Sequence, residues 1–254
     1  SKNNLHPSSE TSFHALINRK YVLHVHSTTT IANAISQSSE SDLRKYLDED
    51  FIFVPYCRPG FTLTMEIKKL ILPSTNILVL ENHGLIVAGD DIEDTYKLLL
   101  KIHEKLDLIR NEKLGLDYLE KITNIGGYIH KNTDKYKLFS TQNEKLFSLF
   151  SKSFYPDHVI FLGPGIPTFS EEKEANEFIQ NLKRKNINLP PYLIIKNKGL
   201  FENTLAIPAA KEMIDCFLEV LLRIDLSKSF KFLSSHQESE LLNWDIEIYR
   251  QSIN

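Results

Sequence analysis

Two histidines separated by a single residue are the first feature of this chain that points to chemistry. His24 and His26 belong to the apolar segment YVLHVHS at residues 21–27. If that segment is a strand, both imidazoles project from the same face, because side chains alternate with a period of two. A third histidine, His83, follows another apolar run in ENHG at residues 81–84. Three imidazoles are a ligand set typical of a divalent-metal site with one position open for substrate.

A carboxylate near the start of the sequence extends this set. Glu10 ends the segment PSSE at residues 7–10 and is a candidate fourth ligand or acid–base group. An isolated His-x-His pair on a half-buried strand is more often structural than metal-binding. The metal interpretation is favoured here because three pieces occur in order: PSSE before a helix, HVHS at a strand end and NHG after an apolar run.

This ordered set resembles the class II aldolase/adducin family, which includes the zinc-dependent fuculose- and rhamnulose-phosphate aldolases. The motifs that carry the resemblance are PSSETSFHAL, VLHVHSTT and LVLENHGLIVAGDDIEDTY. It is strong over residues 7–96 and weaker beyond residue 140. The short spacing from Glu10 to His24 is similar to that in the aldolase part of bifunctional rhamnulose-phosphate aldolase/dehydrogenases. PDHVIFLGPG, LIIKNKGLF and LNWDIEIYRQ look like the C-terminal extension of that subgroup.

The resemblance implies an α/β protein with two domains. The first, at residues 1–125, would be a three-layer α/β/α domain of the class II aldolase kind that carries the metal site. The second, at residues 140–254, would be a smaller C-terminal α/β extension. The family's glycine-rich phosphate-binding segment precedes its Pro-Ser-x-Glu, so we expect that an N-terminal part of the first domain is missing from this sequence.

The resemblance also implies an activity. His24, His26 and His83 would bind zinc, with cobalt and manganese as other possible ions, and Glu10 would be the catalytic carboxylate that shuttles a proton. The reaction would be retro-aldol cleavage of a sugar phosphate or related hydroxy-ketone by an aldehyde-lyase, in a homo-oligomer. Three alternatives stay open: an epimerase or dehydratase that uses the same metal site, a non-catalytic binding domain similar to that of adducin, and a metal-binding remnant without turnover.

The composition excludes several other classes of protein. The chain has 254 residues, a formal net charge of −3 and no basic stripe, so we expect no nucleic-acid partner. It has no apolar run near the roughly 20 residues of a membrane span and no secretory signal. Cys57 and Cys216 are isolated, which suggests reduced thiols in a cytoplasmic protein. GxGxxG and GxxxxGK[ST] are both absent, so a Rossmann fingerprint and a P-loop are not supported.

Hydrophobic periodicity and turn residues predict alternating helices and strands, without an internal repeat. Ser9 is expected to cap the first helix and Pro208 to begin the last long one. Strands are predicted at residues 21–27, 51–54, 76–81, 85–88, 158–162 and 192–196. Helices are predicted at residues 10–18, 28–36, 63–72, 90–113, 142–154, 171–185 and 208–226.

Several residues near the motifs have two interpretations each. His14 shares a helix face with Glu10 and either supports the site or is a buried polar residue. Arg58 either binds a phosphate or is a solvated surface residue. Ser27 either binds a substrate hydroxyl or caps the next helix. Gly84 is expected to allow a backbone angle that a side chain would forbid. No role is assigned to the remaining histidines His103, His130, His158 and His236.

Overall fold

The computed structural model describes residues 8–115 and 124–244, and the chain divides into two units. Unit 1 comprises Ser1–Leu108 and Lys228–Lys231, and unit 2 comprises Ile109–Ser227 and Phe232–Asn254. Pro7 of the PSSE motif and residues 245–251 of the LNWDIEIYRQ segment lie outside the described residues. The domain limits drawn at residues 125 and 140 stay a prediction.

Unit 1 is built on one four-stranded sheet with the order β1-β4-β3-β2. The β1–β4 and β4–β3 pairs are antiparallel, and the β3–β2 pair is parallel. The strands are β1 (Tyr21–Val25), β2 (Ile52–Val54), β3 (Ile77–Leu80) and β4 (Gly84–Gly89). The helices are α1 (Thr11–Leu16), α2 (Thr28–Ala34), α3 (Ser39–Tyr46), α4 (Phe61–Leu70) and α5 (Ile92–Leu106).

The sheet of unit 1 is buried on both faces. Alternate residues of β3 belong to two different apolar clusters, because successive side chains of a strand point to opposite faces. One cluster joins the sheet to α1 and α4, and the other joins it to α2, α3 and α5. The predicted three-layer α/β/α arrangement is therefore confirmed in unit 1. The first cluster includes Phe13, Leu63, Ile67, Leu78 and Leu80, and the second includes Ala34, Leu43, Ile102, Ile77 and Val79.

The ends of the elements in unit 1 differ from the predicted ones where polar side chains cap helices. Glu10, rather than Ser9, occupies the N-cap position of α1, and it makes no capping hydrogen bond. β1 ends at Val25 because Ser27 caps α2, its Oγ accepting from the backbone N–H of Thr30 at 3.3 Å. α3 was not predicted, and α5 ends at Leu106 instead of residue 113.

Unit 2 also contains a four-stranded sheet, with the order β5-β8-β7-β6. Its α/β character confirms the prediction, although unit 2 takes in more of the chain than unit 1 does. The strands are β5 (Tyr128–His130), β6 (Thr168–Phe169), β7 (Tyr192–Ile195) and β8 (Gly199–Asn203). The helices are α6 (Glu144–Leu149), α7 (Pro156–Leu162), α8 (Glu172–Arg184), α9 (Pro208–Arg223) and α10 (Ser235–Leu242).

Two predictions in unit 2 are wrong. Residues 158–162 belong to α7 rather than to a strand, and every residue of this helix is buried. A fully buried helix and a buried strand give the same continuous apolar run, so periodicity does not separate them. The sequence indicates only a turn at Gly199, whereas Gly199–Asn203 forms the strand β8. Pro208 is the first residue of α9, as predicted.

A short segment from late in the chain, Lys228–Lys231, belongs to unit 1. Phe230 forms an isolated antiparallel bridge with Ser36. The backbone N–H of Lys231 donates to the carbonyl of Ile35 at 2.7 Å, and Lys228 Nζ lies 3.0 Å from Asp42 Oδ2. The segment is thus held beside the connection between α2 and α3.

Among the helices of residues 8–115 and 124–244, none combines the length and apolar character needed to cross a bilayer.

Candidate metal centre

The four residues singled out from the sequence lie together in unit 1. Glu10, His24, His26 and His83 each offer a ligand atom within 4.8 Å of the others. Oε1 of Glu10 lies 3.3 Å from Nε2 of His24, 3.8 Å from Nε2 of His26 and 3.0 Å from Nε2 of His83. The Nε2 atoms of His26 and His83 are 3.1 Å apart. Two imidazoles on one tetrahedral zinc, with bonds of about 2.0–2.1 Å, would have nitrogens roughly 3.3 Å apart.

The register of the sheet explains why these residues meet. β1 pairs with β4 so that His24 lies opposite Ile86 and Val25 lies opposite Leu85. His26 follows the end of β1 and therefore lies beside the turn from β3 to β4, which carries His83. Glu10 reaches the same point from the start of α1. Three separate segments thus meet at one end of the β1–β4 pair.

The turn that carries His83 depends on its two neighbours. Asn82 has a φ of +53°, a left-handed conformation that asparagine tolerates better than most residues. Gly84 is not in that region, so the predicted reason for this glycine is wrong. A Cβ on Gly84 would instead lie 2.4 Å from the carbonyl oxygen of Val25. Glycine is required here because β1 approaches the turn closely.

Hydrogen bonding fixes the tautomer of His24. Nδ1 lies 3.1 Å from the carbonyl oxygen of Leu85, and a carbonyl only accepts, so Nδ1 carries the hydrogen. Nε2 then has a lone pair directed toward Glu10 and the other two imidazoles. Among the residues that the structure describes, none forms a hydrogen bond with this buried Nε2. A buried acceptor of this kind, oriented through its other ring nitrogen, suits a metal ligand.

The charges of the cluster also suit a cation. Burial lowers the pKa of His83 to about 4, against the opposing effect of its hydrogen bond with Glu10. Burial alone would raise the pKa of Glu10, but its close contacts with the three histidines outweigh that effect and hold the pKa well below its usual range. At neutral pH the site therefore contains a carboxylate and a neutral His83 imidazole. Metal ligation requires these protonation states.

The ENHG turn is further held by residues that the sequence analysis did not identify. Glu81 accepts a hydrogen bond from the backbone N–H of Tyr56 at 3.0 Å and one from Lys231 Nζ at 2.5 Å. Asn82 Nδ2 donates to the carbonyl of Lys231 at 2.9 Å. The two residues that precede His83 are therefore both held by Lys231. No local pattern relates Lys231 to Glu81, since 150 positions separate them.

The residues with two interpretations have different outcomes. The ring of His14 stacks on Phe13 at 4.7 Å and lies 6.5 Å from the ring of His24, so it flanks the cluster. Burial, then the charge of His24, lower the pKa of His14. Ser27 caps α2, as one of its two interpretations predicted. Arg58 is half-buried, and its phosphate-binding role stays a prediction.

The fold and the cluster together define a class of protein: a three-layer α/β domain with three histidines and one carboxylate that could bind a metal ion. Residues 1–108 match the model of the family described as Class II Aldolase and Adducin N-terminal domain. The resemblance of this part of the chain to the class II aldolase/adducin family is thereby confirmed. The narrower subgroup suggested by the motif spacing stays a prediction.

Individual relatives match the chain over less than half of its length. The protein named Uncharacterized oxidoreductase YuxG, from Bacillus subtilis (strain 168), is 29% identical over 111 residues, which are 43% of this chain and 16% of that protein. The N-terminal class II aldolase domain of a conserved Thermoplasma acidophilum protein is 27% identical, with a TM-score of 0.39, over 42% of this chain and 49% of that one. YgbL from Klebsiella pneumoniae is 25% identical, with a TM-score of 0.33, over 45% of this chain and 60% of that one. The chain thus spans less than two thirds of each relative.

Proposed function

We propose that unit 1 is a metal-dependent aldehyde-lyase domain that cleaves a sugar phosphate or related hydroxy-ketone by retro-aldol chemistry, with zinc as the ion. The observation that carries the proposal is the convergence of Glu10 Oε1 with the Nε2 atoms of three histidines. The family match supplies the reaction class, because residues 1–108 resemble class II aldolases.

His24, His26 and His83 would bind the ion through Nε2. When bound, a divalent cation polarises the substrate carbonyl and stabilises the negative charge that develops as the carbon–carbon bond breaks. The buried imidazoles of His24 and His83 have side chains that are 5% and 4% exposed, whereas that of His26 is 31% exposed. The side of the site next to His26 is therefore where substrate would enter.

Glu10 would move the proton. The side chain of Glu10 is 20% exposed. Glu10 occupies the N-cap position of α1 but makes no capping hydrogen bond, so its side chain can rotate away from the histidines without breaking a cap. Glu10 is a carboxylate at neutral pH because of its lowered pKa. It would accept the proton of the hydroxyl group on the carbon that becomes the aldehyde. It would then donate a proton to the carbon of the other fragment that was released when the carbon–carbon bond broke. Positioned proton transfer of this kind contributes about 10²–10⁴-fold to a rate.

The remaining parts of the proposal rest on the resemblance and on composition. The substrate is a small molecule, and the assembled protein is a homo-oligomer, as in the resembled family. Cys57 and Cys216 are both free thiols, which suits the cytoplasm. Nucleic acid is not expected as a partner, since the net charge is −3.

A product assay with a panel of ketose phosphates tests the reaction. The zinc-loaded protein is incubated with each compound and the products are identified by NMR. Release of an aldehyde and a three-carbon fragment supports the lyase. An epimer or a dehydrated product would replace it with the epimerase or dehydratase alternative, and absence of turnover by folded, zinc-loaded protein would favour an adducin-like binding domain.

The matched variants in that assay are His24→Ala/His26→Ala and His236→Ala. The double variant removes two of the three nitrogens and is expected to abolish turnover. His236 is a control because its side chain is 83% exposed and forms an ion pair with Glu240, which is not a residue of the cluster. Unchanged lyase activity in the double variant would contradict the proposed site.

A further inference from the structure

The sheets of the two units have the same topology. In each, the first strand lies at one edge, and the fourth, third and second strands follow in that order. In each, the pair formed by the second and third strands is parallel, and the other pairs are antiparallel. The connections agree as well: helices lie between the first two strands, one helix lies between the second and third, and a hairpin joins the third and fourth.

The register of the strands is also the same. Leu80 pairs with Gly84 in unit 1, and Ile195 pairs with Gly199 in unit 2. The same difference in residue number separates the corresponding members of these two pairs. That difference also relates the β2–β3 pair of Val54 with Leu80 to the β6–β7 pair of Phe169 with Ile195.

Individual backbone hydrogen bonds follow the same shift. Glu81 N–H donates to the carbonyl of Val54 at 2.9 Å, and Lys196 N–H donates to the carbonyl of Phe169 at 2.9 Å. Similarly, Ala88 donates to Asn76 and Asn203 donates to Pro191, each at 2.8 Å. The matching register of the two sheets therefore continues beyond the ends of the regular ladders.

The metal-bearing turn has a counterpart in unit 2. LENHGL at residues 80–85 corresponds to IKNKGL at residues 195–200. Asn82 has a φ of +53° and Asn197 has a φ of +60°, so the two turns share their left-handed residue. Lys198 therefore corresponds to His83.

The first strands supply the other correspondences. His24 lies opposite Ile86 on β4, and His130 lies opposite Phe201, the corresponding residue of β8. His130 is thus the counterpart of His24. Two positions further along, Asn132 is the counterpart of His26.

The chemistry at these positions has changed completely. Lys198 Nζ forms an ion pair with Oε1 of Glu172, at the start of α8. Nε2 of His130 donates to the carbonyl of Lys198 at 2.7 Å, so the nitrogen that His24 directs into the cluster is used here to hold the turn. Within residues 8–115 and 124–244, the only convergent group of three or more potential metal ligands is the one in unit 1.

We propose that unit 2 is a second copy of the unit 1 sheet in which a lysine–glutamate ion pair has replaced the metal centre. In unit 1, a cation would be neutralised by Glu10 at the end of the β1–β4 pair. In unit 2, the ammonium of Lys198 supplies the positive charge and Glu172 supplies the carboxylate. The chain therefore has one metal centre and one vestigial counterpart, which goes beyond the lyase activity proposed for unit 1.

Restoring the lost ligands tests this equivalence. In a His24→Ala/His83→Ala background, which removes the unit 1 site, Asn132→His and Lys198→His are introduced beside the native His130. We expect the background protein to bind no zinc and the restored protein to bind about one zinc per chain, measured by elemental mass spectrometry after dialysis. Adding His130→Ala should remove that zinc again. A restored variant that is folded by circular dichroism and takes up no zinc would overturn the proposal.

If the restored variant does not fold, the proposal is tested by introducing the lysine of unit 2 into unit 1. His83→Lys places an ammonium beside Glu10, as Lys198 lies beside Glu172, and His83→Met is the neutral control of similar length. Without metal, we expect His83→Lys to melt within a few degrees of the metal-free parent and His83→Met to melt lower. Equal melting temperatures for the two variants would overturn the proposal. The zinc content of the unaltered protein reports separately on the site in unit 1.

Discussion

The turn between β3 and β4 reads Glu-Asn-His-Gly, whereas the turn between β7 and β8 reads Lys-Asn-Lys-Gly. Both turns have an asparagine with positive φ that is followed two positions later by a glycine, but only Gly199, and not Gly84, has a positive φ. The side chains differ at the first and third positions of the motif. Glu81 and His83 in one unit correspond to Lys196 and Lys198 in the other, so similar turns present a proposed metal ligand in one unit and a cation in the other. Fold and chemistry are therefore specified by different residues of one short motif.

Removing the carboxylate is expected to have the largest effect. Glu10→Gln should lower lyase turnover by about 10²–10⁴-fold, because the amide no longer accepts the substrate proton. The three histidines are unchanged, so bound zinc should remain. Glu172→Gln is the matched change at the ion pair of unit 2, and we expect it to leave turnover within about twofold of the parent. Turnover is measured by steady-state kinetics. Comparable losses of turnover in both variants would contradict the claim that only unit 1 is catalytic.

The next largest effect is expected at Gly84. A Cβ at this position would lie 2.4 Å from the carbonyl oxygen of Val25, so Gly84→Ala must move β1 away from the turn. We expect a loss of about 1–3 kcal/mol in the free energy of unfolding, together with weaker zinc binding. Gly199→Ala is the comparison: its Cβ meets no atom closer than 3.6 Å, so only its φ of +100° opposes it. Urea unfolding of both variants gives the measurement, and a weaker effect at Gly84 than at Gly199 would contradict the steric explanation.

Substitutions at Lys231 test whether its contacts with Glu81 and Asn82 in the ENHG turn affect zinc affinity. Nδ1 of His83 is buried without a hydrogen bond in the described part of the chain, so no partner there orients the ring through that nitrogen. Lys231→Met removes the ammonium from Glu81 and should weaken zinc affinity by roughly 10–100-fold, the usual effect of changing a residue that supports a ligand. Lys231→Arg should restore most of it.

The control for that variant is Lys228→Met, in the same short segment, which removes the ion pair between Lys228 and Asp42 of α3. Competition with a chelator of known affinity measures both variants. If Lys228→Met and Lys231→Met weaken zinc binding equally, the effect belongs to docking of the segment as a whole, and Lys231 is not a positioning residue.

The smallest effect is expected in unit 2, from His158. Both ring nitrogens of His158 are buried and have no hydrogen-bond partner within residues 8–115 and 124–244, and burial lowers the pKa of His158 to about 3. The unfolded chain, with a histidine pKa near 6.5, binds the proton more readily, so this residue makes stability fall as pH drops from about 6.5 toward 3. His158→Phe should behave like the parent at pH 7.5 and become the more stable protein below pH 6. Parallel urea curves at pH 7.5 and 5 measure this, and an unchanged pH dependence would contradict it.

The sequence was informative where chemistry depends on local spacing. The period-two pair His24 and His26, and the position of His83 after an apolar run, are features of strand sequences, so these three histidines could be singled out before any fold was known. Glu10 was added because PSSE, HVHS and NHG occur in the order found in the class II aldolase/adducin family. Lys231 could not be found in this way, because its contact with Glu81 depends on the path of the whole chain. The strand predicted at residues 158–162 was wrong because a wholly buried helix has no polar face to give it a period.

The relation between the units was also missed, although its two segments, LVLENHGLIV and LIIKNKGLFE, are both visible in the sequence. Identical residues are few because a buried strand accepts any apolar side chain of suitable size. What the two copies share is backbone conformation and pairing register, which sequence letters record only through asparagine and glycine. A repeat of this kind is recognised from hydrogen bonds and φ angles rather than from composition.

The central claim, that unit 1 binds a metal and unit 2 does not, is tested most directly by metal content. The protein is purified without chelator or nickel affinity, and elemental mass spectrometry is applied to the parent, His83→Ala and His130→Ala. We predict about one zinc per chain in the parent and in His130→Ala, and none in His83→Ala. No bound zinc in the parent, with none taken up when zinc is added, would contradict the claim, and so would zinc that survives His83→Ala but is lost in His130→Ala.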